Sequence, residues 1–158
     1  MALRNVVTEG DPILRKTCRE VPEVTDRIRE TLKDMLETMR AECGVGIAAS
    51  QVGIMRRMFV AEPAPDEVYY MINPEILEAE GSQEDSEGCL SVPGYIGIVE
   101  RPQKIKIKAL DFDGNERVYD FEDFHARVMC HENDHLNGIL FKDKARNLVH
   151  ESELQSEE

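Results

Sequence analysis

The chain has no stretch of about 18 consecutive apolar residues, which excludes a helix of membrane-spanning length. Its first residues, Met1-Ala2-Leu3-Arg4-Asn5, lack the apolar core and small-residue cleavage site of a secretion signal. Its four cysteines, Cys18, Cys43, Cys89 and Cys130, share no repeating spacing, so a disulfide framework is not expected. Reduced thiols, at least one of them available to a metal, and a cytoplasmic location are the expectation. Positive charge is scarce. Nineteen Lys and Arg stand against 32 Asp and Glu, and the net charge of −13 repels phosphates and acidic lipids. Direct nucleic-acid binding and membrane association are therefore not expected, whereas a small-molecule or peptide substrate is permitted. Internal repeats and domain-scale linkers are also absent. One domain over residues 1–150 is expected, followed over 151–158 by a frayed acidic tail with four glutamates and no base.

The remaining pattern is that of a packed α+β chain, with 41% hydrophobic and 32% charged residues, close to ordinary globular usage. Residues 1–24 read as irregular, broken at Pro12 and Pro22. From Asp26, Ile28, Leu32, Met35, Leu36 and Met39 recur at helical spacing with charged residues between them. Thr25 suits the N-cap, and the helix should end before Gly44. Short strands are expected over 54–61 and 69–73, with a turn at Glu62-Pro63-Ala64-Pro65. At 104–110, Lys104, Lys106 and Lys108 alternate with Ile105, Ile107 and Ala109, a half-buried strand with a solvated lysine face. Asp113-Gly114 marks a hairpin, with a return strand over 117–120. A second helix is expected over 121–137, with Gly138 at its C-terminal end. Strand and helix do not alternate regularly, so antiparallel sheets are expected to pack around a central C-terminal helix, with one further, amphipathic helix near the N-terminus.

That second helix carries the chemistry. In His131-Glu132-Asn133-Asp134-His135 the histidines are four positions apart, about 400° around a helix axis, so both imidazoles share one face. Both can reach one cation at about 2.1 Å, while Glu132 points elsewhere and can serve a bound water as general base. A third ligand is needed. One protease pattern places another histidine six residues after the second, but that position is Phe141. Cys89, in Glu87-Gly88-Cys89-Leu90-Ser91-Val92-Pro93-Gly94, is the better donor, because glycine and proline shape a rigid loop or strand end there. A lone cysteine is more commonly a small core residue, and Cys130 is a rival, although it points about 100° from His131.

Three segments together resemble the peptide deformylase family, in its order and spacing: Gly44-Val45-Gly46-Ile47-Ala48-Ala49-Ser50-Gln51, Glu87-Gly88-Cys89-Leu90-Ser91 and His131-Glu132-Asn133-Asp134-His135-Leu136-Asn137-Gly138. The resemblance implies a cytosolic enzyme that removes the N-formyl group from the first methionine of nascent chains and releases formate. It implies Cys89, His131 and His135 as ligands of one divalent metal, Fe²⁺ in most members with Zn²⁺, Ni²⁺ or Co²⁺ also accepted. A metal-bound hydroxide would attack the formyl carbon, with Glu132 moving the proton and Gln51 and the Leu90 N–H holding the oxyanion. Gly44, Val45 and Gly46 would approach the substrate closely, and Val45, Phe124 and Val128 would line a methionine pocket. Phe124 and Val128 serve equally well as helix core; for Gln51 a surface polar role is the alternative, and the small residues of 44–49 favour the functional one.

Cys130 stands where the family usually has glutamine, Asp123 where glycine is common, and Ile47 where leucine is. Beside His131, Cys130 would add an oxidation-prone thiol. A long basic C-terminal helix, by which some members dock on ribosomes, is missing, which puts ribosome docking in doubt. Two other readings share the helix: a peptidase that cuts internal bonds, and a protein whose metal is purely structural.

Overall fold

Burial on both faces at Met58-Phe59-Val60-Ala61 decides the architecture, because such a run fits a strand covered by helices on either side. The computed structural model describes residues 2–155. Its strands are β1 (Gly46–Ala48), β2 (Met58–Ala64), β3 (Glu67–Glu80), β4 (Gln83–Cys89), β5 (Val92–Arg101), β6 (Lys104–Leu110), β7 (Glu116–Glu122) and β8 (Arg146–His150). The helices are α1 (Asp26–Ala41), α2 (Asp123–Leu136) and α3 (Glu151–Gln155). One sheet has the order β1-β2-β3-β6-β7, the other β4-β5-β8, and every pairing is antiparallel.

From β2, Phe59 and Ala61 face Ala126, Met129 and Leu136 of α2, whereas Met58 and Val60 face Leu32, Met35 and Met39 of α1. Each fully buried side chain of this size contributes about 1.5–3 kcal/mol. A third cluster, Leu14, Val92, Val99, Leu140 and Phe141, joins the smaller sheet to the N-terminal segment.

Thr25 caps α1, accepting from the Ile28 N–H at 3.3 Å. The strand over 104–110 forms as expected, with Ile105, Ile107 and Ala109 buried. Its lysines face carboxylates across both neighbours: Lys104 lies between Glu80 and Glu122, Lys106 between Glu78 and Asp120. Such exposed pairs contribute little individually, and they keep the face wet.

Several boundaries differ from the sequence reading. The strand expected from 54 begins at Met58, because Ala49–Val52 forms a 3₁₀ turn closed by Gly53 at φ 82°. Residues 63–64 stay in β2, and the turn falls on Pro65-Asp66, where Asp66 takes φ 64°. β3 runs on through Pro74 because Asn73, at φ 51°, opens a bulge, and its side chain grips both backbone groups of Val21. Phe121 belongs to β7 and not to the second helix, since Asp123 at φ 55° breaks the chain between strand and helix. Strands β1, β4, β5 and β8 had no counterpart in the sequence reading. Within the tail expected from Glu151, the chain forms a short helix through Gln155, and the Ser152 N–H donates to His150 Nδ1 at 3.2 Å. The rest of that expected tail, 156–158, lies outside the described residues.

Candidate metal centre

α2 brings His131 and His135 to one buried face, and its C-terminus is fixed by backbone geometry. The Gly138 N–H donates to His135 O at 3.1 Å and the Ile139 N–H to Asp134 O at 3.0 Å, a Schellman ending with Gly138 at φ 74°. Cys89 is the last residue of β4, and the two-residue turn Leu90-Ser91 leads into β5. This turn delivers Cys89, and not Cys130, to the histidines. The Cys89 Sγ lies 3.3 Å from His135 Nε2, and one donor atom from each of Cys89, His131 and His135 falls within 4.8 Å of the others. Donors about 2.1–2.3 Å from one tetrahedral ion sit roughly 3.5 Å apart, so sulfur and two imidazoles at this spacing suit a transition metal.

A buried ionic network orients the first imidazole. Glu87 Oε1 is 2.8 Å from His131 Nδ1, which leaves Nε2 as the ring atom for a ligand. Arg101 holds the same carboxylate through Nε at 3.0 Å and Nη2 at 2.9 Å, and Arg127 adds a further contact. The second Arg101 amino group reaches Asp134 at 2.6 Å. Burial alone would raise Glu87, yet hydrogen bonds from His131 and Arg101 carry it down to about 2. Burial would lower His131, and hydrogen bonds with Cys89 and Glu87 reverse that to about 10. His135 is held well below the ordinary imidazole value by burial first and His131 second, so its lone pair is free to ligate.

Glu132 is buried, and its Oε1 has no hydrogen-bond partner among the described residues. Its Oε2 stands 4.0 Å from His131 Nε2. Burial lifts Glu132 to about 7 against the opposing pull of His131. A buried carboxylate with one unpartnered oxygen, beside a cluster that could hold a cation, makes Glu132 a candidate working group.

Gln51, read from sequence with a surface role as the alternative, is buried at 1% exposure. Its Oε1 accepts from the Ala48 N–H at 2.9 Å, and its Nε2 faces Ser91 Oγ at 3.0 Å and Cys89 Sγ at 3.5 Å. A cavity of about 350 Å³ opens beside the cluster. Gly44, Val45, Gly46, Phe124 and Val128 all line it, as do Gln51, Cys89, Leu90 and His131. Phe124 is exposed at its rim while Val128 is buried, so the helix-core alternative holds for Val128 in part and not for Phe124.

Glu87, Arg101, Arg127, Asp134 and Ser91 were missed as site-supporting residues. Glu87 and Ser91 each stand two positions from Cys89, which was the available signal. Arg101 and Arg127 join the site only through the fold. Cys130 is buried, and burial pushes its thiol up to about 11, both of which work against the oxidation-prone thiol expected there.

Residues 3–151 match the model of the family described as polypeptide deformylase. A peptide deformylase of Thermoanaerobacter pseudethanolicus is 48% identical over 153 residues, covering 97% of this chain and 96% of the relative. Peptide deformylase 1 of Clostridium perfringens is 53% identical over 146 residues, covering 90% and 98%. Among solved structures, peptide deformylase from Thermotoga maritima superposes with a TM-score of 0.89 at 39% identity, covering 91% and 98%. That from Ehrlichia chaffeensis in complex with actinonin gives 0.88 at 38%, covering 93% and 91%. With likeness in sequence and in fold over nearly its full length, the chain belongs to the polypeptide deformylase family of hydrolases.

Proposed function

We propose that the chain removes the formyl group from N-terminal formyl-methionine of newly made polypeptides in the cytoplasm and releases formate. The observation that carries this is the convergence of a buried Glu132, the Gln51 amide and the Leu90 turn on the Cys89-His131-His135 cluster, in a chain of this family. Cys89, His131 and His135 would hold one divalent transition metal, Fe²⁺ foremost with Zn²⁺, Ni²⁺ or Co²⁺ as alternatives. When bound, the metal lowers the pKa of water and polarises the formyl carbonyl.

The protein's own groups do the rest. Glu132 takes the proton from the attacking water and returns it to the departing amine. Gln51 Nε2 and the Leu90 N–H donate to the formyl oxygen as it becomes anionic, and loss of one such donor costs about 10²–10³ in rate. Val45, Phe124 and Val128 flank the methionine side chain, while the backbone at Gly44 and Gly46 comes close to the peptide. No helix among the described residues is long and apolar enough to cross a membrane, and the acidic surface disfavours direct contact with nucleic acid. Ribosome docking is not part of this reading.

The test is the product. Purified without oxygen and loaded with Fe²⁺, the protein should release formate from a formyl-Met peptide and leave that peptide whole, shorter only by the formyl group. Internal fragments from an unblocked peptide would point to a peptidase instead.

A further inference from the structure

We propose that Ser91 is a positioning residue for Gln51, and that the Val7–Glu9 segment clamps the two together. This rests on the reading above, in which Gln51 donates to the formyl oxygen.

An amide donor is useful only if its NH₂ end faces the reacting carbonyl. At Gln51 the Ala48 N–H sets which end is which, and the Ser91 hydroxyl fixes where the NH₂ end sits. Oε1 accepts from the Ala48 N–H at 2.9 Å, and Nε2 donates to Ser91 Oγ at 3.0 Å. Turning the amide over would set Nε2 against the Ala48 N–H, losing that bond, and Oε1 against the Cys89 sulfur, while the Ser91 hydroxyl, able to donate or accept, would hold either end. Nε2 carries two hydrogens, so one serves Ser91 while the other remains for the cluster and its substrate. Without the hydroxyl, only the Ala48 bond restrains the amide, and Nε2 can swing toward Cys89 Sγ, now 3.5 Å away.

Side chains hold one another only if their backbones keep station. Gln51 sits in the 3₁₀ turn after β1, and Ser91 in the turn between β4 and β5, on different sheets. One short segment grips both turns. The Val7 N–H donates to Gln51 O and the Glu9 N–H to Ser91 O, each at 2.7 Å. Ser91 is completely buried, which shields its hydroxyl from bulk solvent.

Ser91→Thr and Ser91→Val provide the test. Both add bulk at the same buried position, and only threonine keeps a hydroxyl. The valine variant should have kcat about tenfold below the threonine variant, a fraction of the cost of deleting an oxyanion donor. KM and bound metal should be equal in the two. The Gln51 side-chain NH₂ resonances, identified by their loss in Gln51→Leu, should stay in place in Ser91→Thr and move in Ser91→Val. Equal kcat in the two variants, or unmoved Gln51 resonances in Ser91→Val, would overturn the proposal. If the larger side chains prevent folding, Ser91→Ala against wild type gives the same two readings. Should wild type itself release no formate, the deformylase reading fails, while the Gln51 resonances still decide whether Ser91 holds the amide.

Discussion

Gly46 shows how tightly single residues are committed at this site. A Cβ built there would stand 2.6 Å from Glu132 Oε2, so no larger residue fits unless the carboxylate moves. Gly46→Ala should therefore displace Glu132 and lower kcat at least about tenfold, the scale of a misplaced acid–base group, with metal content unchanged. Steady-state kinetics beside metal analysis checks it, and an undiminished kcat would refute the geometry. Glu87 is committed through charge. Its removal leaves Arg101 and Arg127 buried without their shared partner, and Glu87→Ala should cost about 3–5 kcal/mol in urea unfolding. The same change frees His131 Nδ1, and metal affinity should drop about 10–100-fold. Cys130 and Cys43 separate by burial. Alkylation of the folded protein followed by mass spectrometry should label the exposed Cys43 and spare Cys130.

At the scale of elements, α2 is the part on which the centre depends, and its end depends on Gly138. A Cβ there would meet Arg15 O at 2.5 Å, and φ is 74°. Gly138→Ala should destabilise the fold by about 1–3 kcal/mol, read as a lower urea midpoint. This helix was legible in the sequence because a strong period and a glycine stop leave little room for another structure. The α1 cap and the lysine strand were legible for the same reason: each pattern is local. Strands β4 and β5 were not. Gln83–Cys89 has almost no apolar residue, and Val92–Arg101 holds a proline and two glycines. What makes them strands is their mutual register and the buried Glu87-Arg101 pair, between residues 14 apart. Pro63 misled in the opposite sense: it stays in β2 where the register shifts between Ala61 and Ala64, while Pro65 does fall in the turn. Of the site, the three residues of the Cys89-His131-His135 cluster were readable from the motifs, whereas the support for His131 and Gln51 arises only where separate elements meet.

At the scale of the whole molecule, the charge of −13 acts on whatever approaches the cavity. Formyl-Met peptides with lysines downstream should show higher kcat/KM than those with glutamates. The gap should close between 0.1 and 1 M salt, as the screening length falls from about 10 Å to about 3 Å. A gap indifferent to salt would mean local contacts and not the overall field. The two sheets and α2 bring Cys89, His131, His135, Glu132 and Gln51 together beside one cavity. The central claim is that Cys89, His131 and His135 hold the metal while Glu132 moves the proton. Glu132→Gln separates those tasks: metal content and formate release are measured on the same oxygen-free preparation. The account predicts a full equivalent of metal and no detectable formate. Wild-type formate release from the metal-loaded variant would contradict it.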